Sequence, residues 1–311
     1  MKRIITIIVA LGLVVPAVSV ASRVATGSTR TAIAPGASEA SGAGAYVYWT
    51  SSTGTSHGIV NDIARARLNG SGVDRRFIVF PRATLLWGVA VNGQHVYWTG
   101  AAGFGIGRAS LNGTGVDETF MPGQLSSGSV DAQTGVVVHG RYIYWTNDCC
   151  GTIGRANLNG TDITPSFIAG AIGSELVAIT ASGGYIYWAN EGSKGYEGSR
   201  SSIGRANLNG TDVNQRFIAG THVADAVTVA GGYIYWANIP PSHSTIGRAK
   251  LNGTRVNQRF MTNTTGLALA SYGPYIYGSD FSVIWRAKLN GTSVERHFIS
   301  LPGDTFGIAI H

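Results

Sequence analysis

The chain has 311 residues, 44% of them hydrophobic and only 13% charged, which leaves ample apolar surface for a large core and excludes a charge-rich disordered protein. Glycine reaches 44 residues against 9 prolines, a pairing that points to many tight turns in an ordered chain. The formal charge is +7, but six arginines (Arg65, Arg108, Arg155, Arg205, Arg248, Arg286) belong to one motif spread evenly through the sequence, which argues against the clustered patch that a nucleic-acid binder needs.

The first elements are targeting rather than folding signals. Lys2 and Arg3 precede an apolar run from Ile4 to Val15, then Pro16 and small residues, so residues 1–21 read as a signal peptide. The run falls short of the roughly 20 residues a spanning helix needs, so a secreted chain with no membrane span after cleavage is expected. Residues 22–44, rich in Ser, Ala, Gly and Thr, read as a flexible leader.

From residue 45 onward one unit is written six times. Tyr48, Tyr97, Tyr144, Tyr187, Tyr235 and Tyr277 each sit in a Tyr-Trp-like strand, at spacings of 42 to 49 residues. Each strand is followed by a segment like Ile-Gly-Arg-Ala-Asn-Leu-Asn-Gly-Thr at 153–161, and each copy ends on a phenylalanine (Phe77, Phe120, Phe167, Phe217, Phe260, Phe298). Four strand signals per copy, A to D, separated by Gly-Gly or Asn-Gly turns, predict a six-bladed β-propeller over 45–311, all-β and antiparallel. The first copy begins at strand B and the chain ends on Phe306–Ile310, an A strand lacking its B. Their pairing is expected to close the ring and remove the open edge. Five copies set Trp in strand B (Trp49, Trp98, Trp145, Trp188, Trp236) against Ala64 or a glycine in strand C. The sixth inverts this with Gly278 and Trp285, which predicts that the two positions face each other and that these indoles are core.

Tyr-Trp-Thr-Asn at 144–147 with the Arg-Ala-Asn-Leu-Asn-Gly-Thr that follows resembles the YWTD, or low-density-lipoprotein receptor class B, repeats. The resemblance covers all six copies and implies the same six-bladed fold. It also implies a blade-to-blade hydrogen bond from the motif's Asp, which survives only as Asp280. The other copies have Ser51, Gly100, Asn147, Asn190 and Asn238; Asn can inherit that bond and Gly100 cannot. Animal relatives carry Cys-rich flanking modules that are missing here, and an arginine-heavy, lysine-poor composition points to a bacterial source. A shared fold does not name a task.

The A–B and C–D connections are nearly identical between copies, whereas the B–C and D–A connections vary and share the opposite face. Function is therefore expected on 51–62, 122–134, 147–152, 190–202 and 238–245, where His57, Tyr196 and His243 lie, with His222 on the same face. Counting two residues back from the first apolar A-strand residue gives a ring at the channel mouth of Trp87, Thr134, Glu175, Asp225, Thr265 and Phe306. Glu175 and Asp225 together offer oxygens to a divalent cation such as Ca2+, although a calcium site normally uses more ligands, and no other cofactor is expected. Adjacent Cys149 and Cys150 admit both a disulfide and two free thiols. The Asn-Gly-Ser/Thr triplets match glycosylation sites, but turn chemistry already explains them. With no catalytic constellation in the sequence, the reading is a monomeric secreted binding module for a protein, peptide or glycan, without catalysis. The alternative is a lyase or lactonase-type propeller enzyme with a cation at the mouth.

Overall fold

A computed structural model describes residues 44–55, 58–80, 85–100, 105–122, 133–148, 150–170, 176–191, 201–239 and 244–311. The expected signal peptide and nearly all of the leader lie outside these residues. Twenty-four strands make six four-stranded antiparallel sheets, the blades. Blade 1 holds β1 (Tyr46–Thr55), β2 (Gly58–Arg67) and β3 (Asp74–Val79). Blade 2 holds β4 (Leu86–Val91), β5 (His95–Gly100), β6 (Ile106–Ser110) and β7 (Asp117–Met121). Blade 3 is β8 (Gln133–His139), β9 (Tyr142–Asn147), β10 (Thr152–Asn157) and β11 (Thr164–Ile168). Blade 4 is β12 (Leu176–Ser182), β13 (Tyr185–Asn190), β14 (Ser202–Asn207) and β15 (Asn214–Ala219). Blade 5 is β16 (Ala224–Ala230), β17 (Tyr233–Asn238), β18 (Thr245–Lys250) and β19 (Asn257–Thr262). Blade 6 is β20 (Ala268–Tyr272), β21 (Tyr275–Ser279), β22 (Val283–Lys288) and β23 (Glu295–Ser300), and β24 (Ile308–Ile310) returns to blade 1.

The A strands of neighbouring blades touch one another and line the centre, so the D strands form the outer wall. Closure is as expected: β24 pairs antiparallel with β1, Val47 opposite Ile310 and Trp49 opposite Ile308. The indoles are core, with Trp49, Trp145, Trp188 and Trp236 fully buried and Trp98 and Trp285 nearly so. Gly278 faces Trp285 in register. A Cβ built on Gly278 would lie 2.1 Å from the Trp285 ring, and one on Gly204 would lie 2.2 Å from Trp188. The glycine therefore leaves the space that the opposing indole fills.

The repeated Arg-Ala-x-Leu-Asn-Gly-Thr segment is a seam between blades. Each motif arginine stacks its guanidinium 3.8–4.2 Å from the centre of its own blade's terminal phenylalanine. Arg65, Arg205, Arg248 and Arg286 also donate to the carbonyl of the turn leucine in the next blade, and the Arg286 bond to Leu68 crosses from blade 6 to blade 1. The Asn-Gly of each turn receives the previous blade's phenylalanine: a Cβ on Gly210 would stand 2.8 Å from the Phe167 ring, and the glycine's φ is +85°. The preceding Asn accepts from the backbone N–H and the hydroxyl two residues on, as Asn209 does from Thr211. These asparagines thus serve the turn, as the sequence chemistry anticipates.

Two expectations change. The bond assigned to the family's Asp position runs within a blade: Asn147 donates to Thr152 of strand C and to the Pro165 carbonyl of strand D. Asn190 and Asn238 repeat that pattern with Ser202 and Gln215, and with Thr245 and Gln258. The blade-to-blade bond belongs to the preceding threonine instead. Thr50 donates to the Trp87 carbonyl of blade 2, and Thr99 to the Thr134 carbonyl of blade 3. The second change is in blade 1, where 51–62 is largely strand rather than loop. β1 and β2 pair continuously out to Thr55 and Gly58, and Asp304 bridges to Ser52 on the other side. Ser-Ser-Thr beside Ile-Val is β-compatible, so the hairpin extends beyond the sheet.

Candidate functional site

The face formed by the B–C and D–A connections differs from blade to blade, and the channel opens at its centre. Strand register fixes which residues ring that mouth. Val89, Val136, Ile179 and Val227 lie opposite the blade tryptophans, Leu269 lies opposite Gly278 and Ile308 opposite Trp49. Two residues earlier stand Trp87, Thr134, Val177, Asp225, Leu267 and Phe306. Val177 and Leu267 therefore occupy the positions that sequence counting gave to Glu175 and Thr265. The reason is that the apolar run in these two A strands reaches back to Val177 and Leu267, two residues before Ile179 and Leu269, which face Trp188 and Gly278, so the count started too early. Thr265 serves elsewhere, its carbonyl accepting the Trp285 indole N–H at 2.5 Å.

The mouth is accordingly an apolar and aromatic cup. Trp87 and Phe306, on adjoining blades, bring their rings to 5.1 Å between centres, within the usual range of aromatic pairs. Thr134 is tied down by bonds to the Thr146 hydroxyl and the Leu176 carbonyl. Asp225 is the one carboxylate among the described residues of this ring and is 6% exposed. Thr134, Val177, Asp225, Leu267 and Phe306 line, with the A-strand residues behind them, a cavity of about 60 Å3. That volume suits a few waters and is well below that of a small-molecule site.

His222 is exposed on this face, and its backbone N–H is held by the Asn238 side chain. His57, Glu175, Tyr196 and His243 lie outside the described residues, as does Cys149. Cys150 is disulfide-bonded, and Cys149 is the one other cysteine in the chain. Among the described residues no group of three or more His, Cys, Asp or Glu side chains could hold a metal ion.

Sequence reasoning missed two features at the loop-facing ends of the blades. Asp62 is 7% exposed, with one carboxylate oxygen unpartnered, and burial raises its pKa above the ordinary carboxylate value while Arg76 pulls it down. A polar pocket of about 170 Å3 lies where blade 6 meets the end of blade 5, walled by Asn263, Thr265, Asp280, Ser282, Arg296 and His297 above the Trp285 indole. Asp280 accepts the backbone N–H groups of Ser282 and Val283 at 2.9 Å each, which fixes the loop. Arg296 donates to the Asn263 carbonyl. The inverted Gly278–Trp285 pair marked this blade as the odd one and was the available signal.

No family model and no curated protein sequence matches the chain. Solved structures do match. The nidogen/laminin complex gives a TM-score of 0.65 at 18% identity, over 85% of this chain and 98% of that one. A gluconolactonase from Xanthomonas campestris gives 0.58 at 16%, over 73% and 80%. TolB from Acinetobacter baumannii gives 0.60 at 13%, over 85% and 66%. At these identities the shared property is the propeller fold, and it spans both binding proteins and enzymes.

Proposed function

We propose that the protein is an exported binding module that grips a protein, peptide or glycan through the loop face and does no chemistry of its own. The carrying observation is the channel mouth, an apolar and aromatic ring of Trp87, Phe306, Val177 and Leu267 with one carboxylate, Asp225, around a cavity of about 60 Å3 that holds no more than a few waters. A rigid aromatic anchor beside a single charge is a recognition surface more than a reaction centre. The resemblance to the nidogen/laminin complex supports this reading, since that propeller is found bound to a protein partner. Export rests on the N-terminal Lys-Arg and apolar run.

Screening the full chain against peptide and glycan arrays tests it. Specific capture that disappears in Trp87→Ala and Phe306→Ala, with the melting curve retained, is expected. Capture unaffected by both changes contradicts the reading. The gluconolactonase likeness keeps one competitor in view, to be separated by metal analysis. A stoichiometric divalent ion lost in a Glu175→Gln/Asp225→Asn variant, together with lactone turnover, would favour the enzyme.

A further inference from the structure

The six segments running from the last residue of strand C to the end of strand D are all described, and their charges are not shared evenly. Blade 5 carries Lys250, Arg255 and Arg259, blade 6 carries Lys288 and Arg296 with His297, and blade 1 carries Arg67, Arg75 and Arg76. Only Asp74 and Glu295 oppose them, and Glu295 is engaged by the motif Arg286 at 2.9 Å. In blades 2, 3 and 4 the same segments hold Asp117, Glu118, Asp162 and Asp212 against the single Arg216. One detail shows the substitution directly. Where blades 3 and 4 pair Asn157 with Asp162 and Asn207 with Asp212, blade 5 sets Lys250 beside Arg255.

Blades 5, 6 and 1 are consecutive around the ring, because β16 touches β20 and β20 touches β24. The basic groups therefore form one continuous band on the outer strands and C–D turns, and nearly all are exposed. Such a band concentrates anions and speeds their capture. Its outer wall is convex, since it follows the ring, so a flat bilayer or a stiff duplex meets one blade at a time. A flexible polyanion can follow all three. The pocket of about 170 Å3 adjoins this band at its loop-facing end, between the end of β19 and β23, and shares Arg296 and His297 with it. It is below the size of a drug-like ligand site but roomy enough for one ring. Arg296 and His297 can meet a carboxylate there, and Asp280 and Ser282 can meet hydroxyls.

We infer that blades 5, 6 and 1 form a binding surface for an acidic polysaccharide, with one uronate unit seated in the blade 6 pocket. This surface is the outer wall, separate from the channel mouth, so either reading can fail while the other stands.

The test measures binding of the full chain to polygalacturonate, with neutral dextran, a DNA duplex and anionic phospholipid vesicles as comparison probes. Polygalacturonate is expected to bind, dextran is not, and raising salt from 50 to 200 mM should weaken binding by about tenfold or more. An Arg75→Glu/Arg259→Glu/Arg296→Glu variant should lose at least about tenfold, while Arg216→Glu on blade 4 should change affinity by less than about twofold. If the first variant melts early, Lys250→Glu/Arg255→Glu/Lys288→Glu is the deciding one. No binding at 50 mM salt, equal losses on both sides of the ring, or tighter binding to duplex or vesicles than to polygalacturonate each overturns the inference.

Discussion

Trp285 and Gly278 show how far single residues carry this fold. Trp285→Gly should cost about 3–5 kcal/mol by emptying the space beneath the blade 6 pocket. Gly278→Trp alone should be as harmful through overlap with the native indole, whose ring leaves a new Cβ only 2.1 Å. The double exchange restores the arrangement of the other five blades and should recover much of the loss, a coupling that denaturant unfolding of the four proteins measures directly. Asp62 supplies a pH signature. Its carboxyl is raised by burial, so the native state holds that proton more tightly than the unfolded chain does and is penalised once the group ionises. Asp62→Asn should raise the melting temperature at neutral pH, and the gain should fade as pH falls through the raised native value and be gone below about 4, the ordinary carboxylate range of the unfolded chain. A gain that is constant from pH 3 to 7 would rule out the carboxylate as its source. The Trp/Gly inversion was legible in the sequence because it breaks a sixfold pattern at fixed spacing. The burial of Asp62 was not, because it depends on how far the blade 1 hairpin extends past the sheet.

At the level of strands and turns, the ring shuts in two independent ways. β24 pairs with β1, and Arg286 donates to the Leu68 carbonyl while Phe298 packs on Gly70. A chain ending at Thr305 keeps the second closure and loses the first, exposing a strand edge along Val47–Trp49. Its melting midpoint should fall by about 10 °C or more, and an unchanged midpoint would contradict closure by β24. Arg248→Ala should cost about 1–2 kcal/mol through lost stacking on Phe260 and Tyr233 and the lost bond to Leu289. Arg248→Lys should recover little, since an ammonium cannot stack as a planar guanidinium does. Blade number, strand order and closure were readable because turn chemistry and hydrophobic period repeat. The mouth ring was misread at blades 4 and 6 because the apolar run there starts at Val177 and Leu267, two residues before the residues that face Trp188 and Gly278, and composition does not mark which apolar residue takes that place. The motif asparagines were likewise placed between blades, when their partners are strand D carbonyls reached across the register shift between Ile153 and Arg155.

Across the whole molecule, the repeated segment accounts for rigidity, and the proposed recognition surface is what the repeat does not constrain. The seams of arginine, phenylalanine and Asn-Gly make one face nearly the same at every blade, while the connections toward the aromatic cup differ in sequence from copy to copy. The even spacing of the motif arginines hid the lopsided charge of the remaining ones, which emerges only when strand D segments are compared in ring order. The most direct measurement is binding to the ligand captured on peptide or glycan arrays, compared between the full chain and its Trp87→Ala and Phe306→Ala variants. Folded variants that lose at least about tenfold in affinity are expected if the mouth is the recognition site. Undiminished binding by both variants, with their melting curves intact, would contradict it.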